Sequence, residues 1–264
     1  VSDYVTPILL ARTLAAVREA GRIVCDAWNR PRNIEYKGRI DLVTGTDVAV
    51  EAALKARLAE ILPEAGILAE ESARGWDLGE LSWVVDPLDG TTNFAHGIPM
   101  CAISVALWRN GRSEMGVVYL PVLDELFHAV RGEGAYLNGE PISVTGESDP
   151  ERALVGTGFP YTVREDIRRV VDPLERVLAA CQGVRRMGAA AVDLAYTACG
   201  RLDAFYEINL KPWDTAAGWI LVEEAGGRVT SYDGVTPYVF GGDILASNGH
   251  VHEAVAALVT GRDA

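Results

Sequence analysis

The chain has 264 residues, 49% of them hydrophobic, enough for a well-buried core in one large domain or two small ones. Its 37 acidic against 24 basic residues leave a formal charge of −13, which argues against binding nucleic acid by bulk attraction; a small anionic substrate would need a local remedy such as a metal cation. No apolar run approaches the roughly 20 residues that cross a bilayer, so no membrane partner, signal peptide or anchor is expected.

Taken in chain order, Thr6 is placed to cap a helix that opens on Pro7 and carries apolar residues at Leu10, Leu14, Val17, Ile23 and Val24 as far as Trp28. NRPRN reads as a loop. A second helix is expected from Thr46 or Asp47 through Val50, Leu54, Leu58 and Ile61, stopped by Pro63. GILAEES reads as a short strand ending in acids. LSWVVD, CAISVALW, MGVVYL, ELFHAV and AYLNG then alternate as sheet, with Asn110-Gly111 and Asn138-Gly139 as turn pairs, and predict an antiparallel meander.

PISVTGESDPER is the richest polar linker and divides the chain into an N-terminal half, 1–145, and a C-terminal half, 146–264. Beyond it ALVGTGFP reads as a strand, Thr162 to Ala180 and Ala189 to Cys199 as helices, and LDAFYE as a strand. WDTAAGWILVEEAGG reads as a helix closed by Gly226 and Gly227, and ILASN as a last strand before a helix from about Val251. Two sheets, each flanked by helices, give an α+β layered fold.

The four cysteines, Cys25, Cys101, Cys181 and Cys199, stand far apart without a Cys-x-x-Cys pair, as reduced core residues of a cytoplasmic protein would. His250 and His252 read as a solvated helix end rather than a zinc site, and no G-x-S-x-G, Walker loop or G-x-G-x-x-G after a strand is present. Trp83, Trp108, Trp213 and Trp219 sit among apolar neighbours as core or interface residues.

The chemistry gathers in VVDPLDGTTNF. Asp86 and Asp89 end an apolar strand with Pro87 between them, and the carbonyl of Leu88 can turn outward beside both acids. Three such oxygens suit magnesium or calcium, because clustered carboxylates repel one another unless a cation sits among them. Paired acids at strand ends also serve as turn formers, and Asp214, at the start of a helix, also fits a cap. Glu70 and Glu71 end another strand.

WVVDPLDGTTNFAHGIP, WDTAAGWILVEEAGG and AEES, with LVTGTD, GAAAVDLAYTACGRLDAFYE and ILASN in order around them, resemble the inositol monophosphatase family of magnesium-dependent, lithium-sensitive sugar phosphatases. The resemblance implies a layered α-β-α-β-α sandwich, usually a homodimer, with two or three Mg2+ per site. It implies that Glu70, Asp86, the Leu88 carbonyl, Asp89 and Asp214 bind metal, with Glu71 standing behind them. Glu70, Thr91 and Asp47 would form the catalytic group around the attacking water. Asp89, Gly90, Thr91, Gly188, Ala190, Glu207 and Asp214 would bind substrate, Glu207 by accepting hydrogen bonds from its hydroxyls. The loop EYKGRIDLVTGTD, with Lys37, would approach the metals. The implied substrate is a phosphorylated polyol or sugar, first myo-inositol 1-phosphate; fructose 1,6-bisphosphate, histidinol phosphate and NADP remain open, as does a role as a protein partner of transcription machinery.

Overall fold

Helix α1 (Pro7–Trp28) is capped as its sequence suggests: Thr6 Oγ1 accepts the Leu9 N–H at 3.1 Å. The structure is a computed structural model describing residues 4–28, 30, 34–36, 42–160, 162–165 and 167–262. Where a loop was expected, β1 (Ile34–Tyr36) and β2 (Leu42–Thr44) pair antiparallel; Lys37 lies outside the described residues. Helix α2 (Gly45–Ile61) starts before Thr46 because Thr44 is its cap. The Thr44 hydroxyl accepts the Thr46 N–H at 3.2 Å, and Asp47 Oδ2 accepts the Thr44 N–H at 2.9 Å.

The first sheet takes β3 (Gly66–Ala69), β4 (Leu81–Asp89), β5 (Ala102–Arg109), β6 (Arg112–Leu120), β7 (Glu125–Val130), β8 (Gly134–Leu137) and β9 (Glu140–Ile142) in that order. From β4 on it is the expected antiparallel meander, while β3 runs parallel to β4. Asn110 and Gly111 (φ 49° and 86°) and Asn138 and Gly139 (φ 52° and 88°) turn two of its hairpins in the left-handed region that such tight turns require. A short helix, α3 (Thr91–His96), follows β4.

The second half supplies β10 (Leu154–Thr157), α4 (Ile167–Ala180), β11 (Gly183–Arg185), α5 (Ala190–Ala198), β12 (Ala204–Ile208), α6 (Pro212–Glu224), β13 (Arg228–Thr230), β14 (Asp243–Ser247) and α7 (His252–Thr260). Its sheet order is β11-β10-β12-β14-β13, with β10 parallel to β11 and β12 and the other pairs antiparallel. Helix α4 begins five residues later than expected, because Thr162–Glu165 closes a separate turn, Glu165 N–H to Thr162 O at 2.8 Å.

Alternation assigns the faces of the first sheet. Trp83, Val85, Ile103, Val105, Leu107, Met115 and Val117 point to α1 and α2 (Val17, Val24, Leu54, Leu58), while Val84, Ala106, Val118 and Leu120 meet α5 and α6 (Leu194, Ile220, Leu221). The second sheet lies beyond α5 and α6 and packs its other face, through Val155, Tyr206 and Leu245, on α4 and α7 (Val170, Val177, Val255, Val259). The order is α-β-α-β-α. Helix α6 lies flush on the first sheet because Gly116 has no side chain; a Cβ there would come within 2.6 Å of Ala217 O. Ser113 Oγ donates to Ala216 O at 2.8 Å and Ser104 Oγ to Trp213 O at 3.1 Å, so two strands hold the start of α6.

Two expectations need correction. All four cysteines are free, but only Cys101 is buried; Cys181 and Cys199 are half-buried and Cys25 is exposed at the end of α1. His250 is exposed, whereas His252 is buried between Thr230 and Ser247. Among the described residues no helix is long and apolar enough to cross a membrane.

Candidate active site

Strand β4 ends in a bulge. Asp86 pairs with Ser104 and Asp89 with Ala102, so three steps on one strand face two on the other. Pro87, with no N–H to give the ladder, falls inside that irregularity. The Leu88 N–H turns back to Asp86 Oδ1 at 2.9 Å. Gly90 then takes φ 85°, and a Cβ on it would lie 2.7 Å from Met100 O, so glycine is required where the chain swings into α3.

That swing delivers Thr91. Its Oγ1 lies 2.8 Å from Asp47 Oδ1 and 3.0 Å from Leu88 O. Asp47 is buried, and its other oxygen accepts from both the backbone N–H and the hydroxyl of Thr44, so the capping box of α2 fixes the carboxylate that faces Thr91. Asp214 stands at the corresponding place in α6, its Oδ2 accepting the Lys211 N–H at 2.7 Å.

The acids act on one another. Burial, then the charges of Glu70, Asp89 and Asp214, push the Asp86 carboxyl well above the usual carboxylate range. Burial pushes Asp89 up to about 7, although the Ala191 N–H, 2.7 Å from its Oδ2, pulls the other way. Burial, then Asp214, raises Glu207 on β12 to about 8. Gly188, Ala190 and Glu207 thus share this region with the acids of the first half. Asn93 joins the halves, donating to Met100 O and Met187 O, each at 2.7 Å.

The inositol monophosphatase family profile matches residues 7–263. This chain belongs to that family. It is 40% identical over 253 residues to the Nus factor SuhB of Salmonella typhimurium strain LT2, across 94% of each chain. It is 40% identical over 256 residues to the inositol-1-monophosphatase of Mesorhizobium japonicum, across 95% of this chain and 96% of the relative. The solved inositol monophosphatase of Anabaena (Nostoc) sp. PCC 7120 superposes with a TM-score of 0.87 at 39% identity, covering 96% of this chain and 95% of that one.

In this inositol monophosphatase family member, no three His, Cys, Asp or Glu side chains among the described residues close on one point as a finished metal cage. The donor set nevertheless fits a hard cation. Asp86 is buried among three further carboxylates, and a divalent ion between such oxygens relieves a repulsion that single N–H contacts do not.

Glu71 relates to the site through its backbone, whose N–H donates at 2.8 Å to Glu51 Oε2; the buried Glu51 was not anticipated. Nor was Asp193, buried on α5 with Oδ1 lacking a hydrogen-bond partner and its carboxyl pushed well up by burial, then by Glu207. Its signal was present in AAAVDLAY, an acid on a helix otherwise apolar all round, which marks a buried charge.

Proposed function

We propose that the chain is a magnesium-dependent phosphate monoester hydrolase acting on a phosphorylated polyol, with myo-inositol 1-phosphate as the first substrate to test. The observation that carries this reading is the buried Asp86 carboxyl, which feels the charges of Asp89 on its own strand, of Glu70 after β3 and of Asp214 at the start of α6.

Glu70, Asp86 and the Leu88 carbonyl would hold one magnesium, and Asp86, Asp89 and Asp214 a second. When bound, these ions neutralise the ester's phosphate charge and lower the pKa of water. Thr91 gives its one hydroxyl proton to Asp47 Oδ1, which leaves the Oγ1 lone pairs to accept a proton of the attacking water and hold it for in-line approach. Asp47, locked by Thr44, holds Thr91 in that sense. Gly90 and Thr91 bring backbone N–H groups close to a phosphate oxygen. Gly188 and Ala190 would line the pocket for a ring, and Glu207 would accept from its hydroxyls or, when protonated, donate to them.

Phosphate release from inositol 1-phosphate, fructose 1,6-bisphosphate, histidinol phosphate and NADP, each with magnesium, with EDTA and with lithium, tests the reading. It expects a magnesium-dependent, lithium-inhibited preference for inositol phosphate in a homodimer, the latter read by sedimentation. Activity untouched by EDTA would overturn it.

The similarity to a relative named Nus factor SuhB supports a second reading, binding to transcription machinery through a protein surface. Equal capture of such a partner by wild type and Asp89→Asn would favour this role as separate from the acids; capture lost in the variant would tie it to the site.

A further inference from the structure

One wall of the site carries a cation that the proposed chemistry leaves unused. Arg186 follows β11, and its guanidinium occupies the space that Gly188 gives up: a Cβ at Gly188 would fall 2.5 Å from Arg186 Nη1. Across the same wall Gly158 yields to Glu207, since a Cβ there would overlap the Glu207 carboxylate. Phe159 lies beside Gly158, and Arg186 Cζ stands 5.5 Å from its ring centroid. Two glycines therefore gather a carboxylate, an aromatic face and a guanidinium at the side where Gly188 and Glu207 meet the substrate.

Arg186 is exposed, and among the described residues it makes that ring contact but no hydrogen bond or ion pair. Its charge nonetheless reaches inward, opposing the upward push of burial on Asp89, Asp193 and Glu207. In a chain of formal charge −13, a guanidinium with unspent donors beside buried acids is a local exception. A planar fork steadied on an aromatic face suits the two-point recognition of phosphate or carboxylate. Glu207 alone would repel such a group.

We propose that Arg186 is a specificity-determining residue whose guanidinium binds a second anionic group, phosphate or carboxylate, carried on the leaving group of the substrate. Between two esters of the same sugar, Arg186 then favours the one with a second anion over the one bearing hydroxyls alone. The proposal rests on the phosphatase reading above.

Fructose 1,6-bisphosphate and fructose 1-phosphate, which differ only in the second phosphate, make the test. Phosphate release is followed with magnesium for wild type, Arg186→Gln and Arg186→Lys. The expected result is that Arg186→Gln lowers kcat/KM for the bisphosphate about tenfold more than for the monophosphate, mainly through KM, and that Arg186→Lys recovers part of the difference. An equal loss on both esters, or none on either, overturns the proposal. If the wild type hydrolyses neither ester, calorimetric binding of the same pair decides Arg186 alone, and the phosphatase reading fails only if inositol 1-phosphate is not hydrolysed either. An affinity ratio about tenfold smaller in Arg186→Gln supports it, and an unchanged ratio overturns it.

Discussion

Thr91 and Asp47, 44 positions apart, are joined by a 2.8 Å hydrogen bond between the first turns of α3 and α2. The Thr91 hydroxyl also lies 3.0 Å from Leu88 O, yet it has one proton to give. Whatever engages the Leu88 carbonyl therefore sends that proton to Asp47. Thr91→Val should lower kcat about 100-fold at saturating magnesium, while Thr91→Ser keeps most activity. A magnesium titration separates the roles: a Thr91→Val protein that lost metal affinity but turned over normally at high magnesium would show Thr91 to be a ligand rather than a positioner of water.

The site acids should make the magnesium-free protein sensitive to alkali. Asp89 rises from 3.8 to about 7 in the fold, so the unfolded chain releases its proton first as pH increases. This group's contribution to stability is full below pH 4 and is lost as pH climbs through 7. Melting in EDTA should fall across that window, and Asp89→Asn should flatten the fall. The same variant should lose about three orders of magnitude in turnover with magnesium saturating. Near-normal activity would remove Asp89 from the ligand set.

His252 works in the opposite direction. Its Nε2 is 2.8 Å from Thr230 Oγ1 and its Nδ1 is 2.7 Å from Ser247 Oγ. Thr230 gives its own proton to Ser231 O at 2.6 Å, so Nε2–H donates to Thr230 and Nδ1 accepts from Ser247. Burial lowers the ring to about 4, so its stabilisation is full above pH 6.5 and is lost as pH falls towards 4. His252→Gln should cost stability at pH 7 and flatten the acid limb of a Tm–pH curve. An unchanged acid limb would mean that other groups govern acid unfolding.

Gly158→Ala should push the Glu207 carboxylate aside, because the added methyl overlaps it. KM for inositol 1-phosphate should then rise about tenfold, the scale of one charged hydrogen bond, with a smaller change in kcat. A loss confined to kcat would place Glu207 among the reacting groups instead.

Much of this arrangement was legible because it depends on local pattern. The meander from β4 to β8 shows its alternation and its Asn-Gly turns, and α1 shows its cap and its period. Strands β11 and β13 escaped because three residues carry no period; they are strands only by virtue of their neighbours β10 and β14. Asp47 was readable in type, and its place beside Thr91 only through the family resemblance. The T-x-x-D spacing from Thr44 was the signal that makes it the third helical residue rather than the cap, which leaves one carboxylate oxygen for Thr91. Arg186 and Asp193 became visible only when β11 and α5 were laid beside β12, since what matters in each is the charge opposite it.

Ser104 is the cross-strand partner of Asp86, and its hydroxyl holds the carbonyl of Trp213, the residue before Asp214. One small side chain in the middle of the meander thus gauges the gap between acids that lie 128 positions apart in the chain. That gap is set by strand spacing and by the depth to which α6 sinks over Gly116, neither of which involves a group that touches substrate. Drift at positions such as Ser104 or Gly116 would retune the width of the site, and with it the choice of ion, while every acid stayed in place.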